Sequence, residues 1–149
     1  MSNYSPSLLR HECGHWHAAT RRGYTAQIVQ GIFGDGELMV LADTSTTDAV
    51  QSAAFLLAGP LADFVYANCN GAGSFDEVAR AVLTAYSFNG WAAFSSEHAQ
   101  YDIEQLMQIP LNRTQLLLVF KEATEAAVAA CQMSDVELNN LAPKAAQRQ

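Results

Sequence analysis

Leu8, Leu9, Ala18 and Ala19 recur at helical spacing near the start of the chain, with His11, Glu12 and His15 on the same repeat. Ser5-Pro6 supplies an N-cap followed by a proline at the first helical position, where its missing N–H costs nothing. Arg21 and Arg22 suit the negative end of the helix dipole, and Gly23 suits the left-handed residue that closes a helix. The pattern predicts one helix from Pro6 to Arg22. Strand-like runs follow at 26–33 and 37–41, and Gly34-Asp35-Gly36 between them predicts a β-hairpin. Thr46, Thr47 and Asp48 offer N-caps for a helix to about Asn68, kinked near Pro60. After a glycine-rich loop at 70–74, a third helix is predicted over 75–86 and an aromatic turn over 88–91. Ser95 or Ser96 caps a fourth helix to about Gln108, which Pro110 stops, and 111–133 reads as a long amphipathic fifth. Ser134, with Glu137 three residues on, opens a short sixth. The polar tail 143–149 is expected to fray. The fold class predicted is mainly α with a small β-hairpin.

The most apolar stretch, 53–62, continues to Ala67 but carries Gly59, Pro60 and Asp63, so it reads as a buried core helix and not a membrane span. At 149 residues, half of them hydrophobic and 15% charged, the chain is expected to form a single domain, 1–149. A net charge of −7 disfavours nucleic acid and anionic membranes as partners. The opening MSNYSPSLLR lacks a signal peptide's apolar core, which predicts a cytoplasmic protein. Cys13, Cys69 and Cys131 form no CxxC pair and read as reduced, mostly buried thiols.

Residues 11–15, His-Glu-Cys-Gly-His, make a complete H-E-x-x-H motif inside the first predicted helix. Positions four apart share a helix face, so His11 and His15 can offer two imidazoles to one metal ion. Glu12 can lean over an open coordination position and take a proton from water. Cys13 faces away from that side. His17 lies about 200° around the helix from His15 and cannot share the metal. Trp16 reads as a core or interface anchor.

A catalytic zinc typically takes three protein ligands. The extended form H-E-x-x-H-x-x-G-x-x-H fails, because Ala18 and Arg21 stand where glycine and histidine are needed. The third ligand must come from another element, and acids on apolar helix faces are the best candidates. Asp102 lies on or beside the stripe Ala99, Ile103, Leu106, Met107, and Asp63 is the only acid between Ala49 and Ala67. An isolated carboxylate in either place is costly unless paired or bound to metal. Periodicity does not choose between them.

With Ala18 and Ala19 soon after it, the motif resembles the H-E-x-G-H-x-x-x-A of the FtsH-like ATP-dependent zinc peptidases. The order of elements is similar: a strand pair, a helix carrying Ala58-Gly59-Pro60-Leu61-Ala62-Asp63, then a helix carrying Gln100-Tyr101-Asp102-Ile103. The resemblance spans roughly residues 7–125. It implies a zincin-type peptidase domain, with His11, His15 and Asp102 as Zn2+ ligands, Glu12 as general base and Asp63 orienting a ligand from behind. Family members carry an ATPase module and usually membrane anchors before the peptidase domain, whereas this sequence starts ten residues before His11. It therefore resembles the peptidase domain standing alone, without unfolding activity of its own. The expected function is zinc-dependent hydrolysis of peptide or unfolded-protein substrates, with homo-oligomer formation left open. The alternatives are a non-catalytic zinc-binding regulatory or interaction domain, a metal-free helical interaction protein, and a small-molecule metallohydrolase.

Overall fold

A computed structural model describes residues 4–30, 38–42, 48–69 and 74–143. Helix α1 (Pro6–Arg21) leads into the strands β1 (Ala26–Gln30) and β2 (Leu38–Ala42), followed by α2 (Ala49–Asn68) and α3 (Phe75–Asn89). A 3-10 turn (Gly90–Phe94) then joins α4 (Gln100–Leu106), α5 (Arg113–Cys131) and α6 (Asp135–Leu141). The chain is mainly helical with one antiparallel hairpin, as its pattern predicts. The hairpin register runs from Ala26 opposite Ala42 to Gln30 opposite Leu38. The predicted Gly34-Asp35-Gly36 turn, the Thr46 and Thr47 caps, most of the 70–74 loop and all but the first residue of the tail lie outside the described residues.

Helix starts follow local side-chain chemistry. The Ser5 hydroxyl accepts from the Leu8 N–H at 3.1 Å, and the Asp48 carboxylate accepts from the Val50 N–H at 2.8 Å. Ser74 with Glu77, Asn112 with Gln115 and Ser134 with Glu137 each close a reciprocal capping box. Gly23 ends α1 with φ 87°, a conformation that costs glycine little. The fourth helix departs from expectation. It begins at Gln100 with no side-chain cap, because the Ser96 hydroxyl donates to Asp63 at 2.8 Å instead of capping. Met107, expected in the buried stripe, is exposed, while Ala99, Ile103 and Leu106 are buried as expected.

The core is organised around α2. It is long and apolar enough by length and composition to cross a membrane, but its residues Leu57, Ala58, Leu61, Ala62 and Val65 are wholly buried. It packs against α1, α4 and α5 and runs unbroken through Pro60. Gly14 lets α1 cross α2 closely, since a Cβ there would stand 2.4 Å from the Ala58 carbonyl oxygen. The hairpin is fastened to α1 by the Trp16 indole N–H, which donates to the Ala26 carbonyl at 3.1 Å. His17 lies 3.2 Å from the Met133 sulfur, away from the other two histidines of α1. Thus α1, α2 and the start of α4 meet at one place.

Candidate metal centre

That meeting place is where the motif sits. His11 and His15, one turn apart on α1, are 1% and 4% exposed and point between α2 and α4. Asp102, in the first turn of α4, reaches both of them: its Oδ2 is 3.0 Å from His11 Nε2 and 3.1 Å from His15 Nε2. The two Nε2 atoms are 3.3 Å apart. His11, His15 and Asp102 thus form a group that could hold a metal ion, their ligand atoms all within 4.8 Å of one another. Adjacent corners of an octahedral or tetrahedral site with bonds of about 2.0–2.1 Å are roughly 2.8 to 3.4 Å apart, so the donor spacing fits one small ion.

The far side of each imidazole fixes what the near side offers. His15 Nδ1 lies 2.6 Å from the Phe55 carbonyl oxygen, which can only accept, so Nδ1 carries the proton. His11 Nδ1 lies 2.7 Å from Asp63 Oδ2 and donates to that carboxylate. As neutral rings, both histidines therefore turn unprotonated Nε2 atoms toward the Asp102 carboxylate. Three acceptors facing one point repel one another unless a cation stands among them. Without metal that cation is a proton. Burial alone would push the His11 ring down, but hydrogen bonds to Asp102 and Asp63 outweigh it and raise its pKa from 6.5 to about 10. Burial likewise favours protonated Asp102, but its hydrogen-bond contacts with the His11 and His15 rings win and bring its pKa from 3.8 down to about 2.

These shifts set the pH dependence of the metal-free protein. A histidine raised from 6.5 to about 10 contributes stability that is full below 6.5 and lost as pH rises through about 10. The Asp102 contribution is full above 3.8 and lost as pH falls through about 2. In chelator, the protein is expected to melt several degrees higher at pH 6.5 than at pH 10, with the difference reduced in His11→Asn. An equal difference in the variant would assign the effect to other groups.

Asp63 is held in turn by Ser96, whose hydroxyl donates to the same Oδ2 that His11 contacts. The two candidate acids therefore differ in place. Asp102 faces the shared donor point, and Asp63 stands behind His11. Their substitutions should differ accordingly. If the group holds zinc, Asp102→Asn would remove a ligand, and sharing the about 10–16 kcal/mol of a four-ligand zinc site equally predicts a loss of roughly 100- to 1,000-fold in zinc affinity. Asp63→Asn disturbs only the tautomer and orientation of His11, for about 10- to 100-fold. A competition titration with a chromophoric chelator checks the order; Asp63→Asn as the more damaging change would reverse the assignment.

Gly59 makes the remaining contribution. A Cβ there would lie 2.3 Å from His15 Nε2 and 2.8 Å from His11 Nε2. Bare backbone on α2 thus leaves room for the two donor atoms. Gly59, Ser96 and the Phe55 carbonyl are the parts that the motif does not reveal. A Gly-Pro pair inside an apolar helix is the one sequence signal, and it points to Gly59 alone, since both residues are costly there unless something approaches closely.

Glu12 is 8% exposed and lines a cleft of about 650 Å³ together with His15, Asp102, Phe55 and residues 38–40 of β2. Burial pushes its carboxyl pKa above the usual value, while the charges of His15 and His11 pull it back. The carboxylate thereby becomes a better proton acceptor than a solvated one. Cys13 is fully buried, and burial pushes its thiol up to about 12, which keeps it protonated and outside the donor set. No family model, no curated protein and no solved structure matches the chain, so the reading of this site rests on its geometry.

Proposed function

We propose that the protein is a zinc-dependent metallopeptidase of the FtsH-like kind, with His11, His15 and Asp102 holding the metal and Glu12 serving as general base. The observation that carries the reading is the combination of three convergent acceptors, each imidazole fixed from behind, with a carboxylate beside them on an open cleft. Two imidazoles and a carboxylate suit zinc, which when bound polarises a carbonyl and lowers the pKa of a water to about 7.

The chain's own groups supply the rest. Glu12 accepts the proton of the attacking water and returns it to the leaving amine, so one residue serves both halves of the hydrolysis. Asp63 and the Phe55 carbonyl keep the histidines in one tautomer throughout. β2 runs along the cleft with Leu38, Met39 and Val40 in its lining. Alternate residues of such a strand turn backbone N–H and C=O groups away from the partner strand, where an extended peptide can pair with them. Pairing through the backbone suits unfolded polypeptide better than a compact small molecule.

The test is reconstitution. Purified protein should carry about one zinc per chain, cleave an unfolded casein-like substrate, lose that activity in chelator and regain it with zinc. Stoichiometric zinc with no cleavage would favour a non-catalytic metal-binding domain. Iron in place of zinc would overturn the choice of metal, since two histidines and a carboxylate also suit non-haem iron.

A further inference from the structure

The lining of the cleft is of two chemical kinds. What α1, β2 and α2 contribute is largely apolar: Leu8, Leu38, Phe55 and Leu56 among them. What the chain entering α4 contributes is polar, with Glu97, His98 and Tyr101. The charged groups of the cleft are not equivalent. Asp102 is engaged by both histidines, and Glu12 is buried beside them. Glu97 is exposed, and among the described residues it has no hydrogen bond or ion pair. No lysine or arginine lines the cleft among the described residues. The described lining of the cleft thus offers an apolar surface, one uncommitted carboxylate and no lysine or arginine, on a chain whose net charge is −7.

We infer that this site, on the peptidase reading, selects extended segments in which an apolar residue stands beside a lysine or arginine, with Glu97 receiving the cation. The apolar side chain leaves water against Leu8, Phe55 and Leu56, and the neighbouring cation meets the only carboxylate of the lining, among the described residues, that no other group occupies. An acidic segment meets Glu97 and the negative field of the whole chain, so it is disfavoured at encounter as well as in the bound state. Because Glu97 is solvated, the selectivity is modest: about three- to tenfold between a lysine and a glutamate at the same place, shrinking as salt screens it.

The experiment separates this inference from the reaction it rests on. Short unstructured peptides share one leucine and differ only in the residue beside it, which is lysine, glutamine or glutamate. Their affinities are measured on zinc-loaded Glu12→Gln protein, and their cleavage on the zinc-loaded parent. Expected is the order lysine, glutamine, glutamate in affinity and in kcat/KM, collapsed by Glu97→Gln, reversed by Glu97→Lys and weakened at high salt. Cleavage of all three peptides with equal affinities would overturn the selectivity and leave the peptidase reading standing. An order that survives Glu97→Gln would likewise overturn the role of Glu97. Binding in the expected order with no cleavage by the parent would overturn the peptidase reading and keep the selectivity. Neither binding nor cleavage would overturn both.

Discussion

If the protein works as proposed, Glu12→Gln is expected to keep its zinc and lower kcat/KM for an unfolded substrate by about 10²- to 10⁴-fold, the contribution usual for a positioned general base. Glutamine has nearly the shape of glutamate, and Glu12 is not one of the three groups whose donor atoms converge. Zinc content, measured by mass spectrometry of the purified protein, should therefore match that of the parent. What the substitution removes is the basic oxygen. An amide cannot accept the water's proton, so kcat falls while substrate affinity holds. The burial of Glu12 helps to separate the two effects, because a neutral amide is no harder to bury than a carboxylate at that position. The fold and the metal should survive together. A variant that cleaves as fast as the parent would leave the proposed mechanism without its base.

How much of this could be read from the chain depends on where each interaction is written. Helix α1 was legible because its cap, its periodic face and its closing glycine are all local, and the motif's ligand pair follows from helical geometry alone. The same holds for α6, whose capping box is spelled out by Ser134 and Glu137. The start of α4 was not legible. A serine before a helical pattern reads as a cap, but the hydroxyl of Ser96 is spent on Asp63, which is distant in sequence. Periodicity likewise could not rank Asp102 against Asp63, because their roles depend on which side of His11 each reaches when α2 and α4 pack around α1. The contacts put Asp102 against both Nε2 atoms and Asp63 against the far nitrogen of His11, positions that no local pattern specifies. The Phe55 carbonyl left no trace at all, since any residue brings a backbone oxygen.

Gly59→Ala should abolish metal binding while sparing the helix that carries it. In an exposed helix interior, alanine for glycine is worth about 0.5–1 kcal/mol of added stability. Here the added carbon would fall 2.3 Å from His15 Nε2, 2.7 Å from its Cδ2 and 2.8 Å from His11 Nε2. Those are the donor atoms themselves, so relief requires both rings to move about 1 Å, well beyond what metal–ligand bonds tolerate. His15 cannot move alone without losing its hydrogen bond to the Phe55 carbonyl, and its ring also packs 5.1 Å from that of Phe55. The metal-free protein has a way out, because side chains can swing into the cleft when nothing holds them together. Helical content in chelator should therefore match the parent's, while zinc titration shows a loss at least as large as that of Asp102→Asn. At Gly14 the corresponding carbon meets the backbone of Ala58 and the methyl of Ala62 instead, so the burden there falls on the helix crossing and not directly on the metal. Parent-like zinc affinity in Gly59→Ala would mean that the histidines do not need the room α2 leaves them, and the convergent geometry would lose its structural basis.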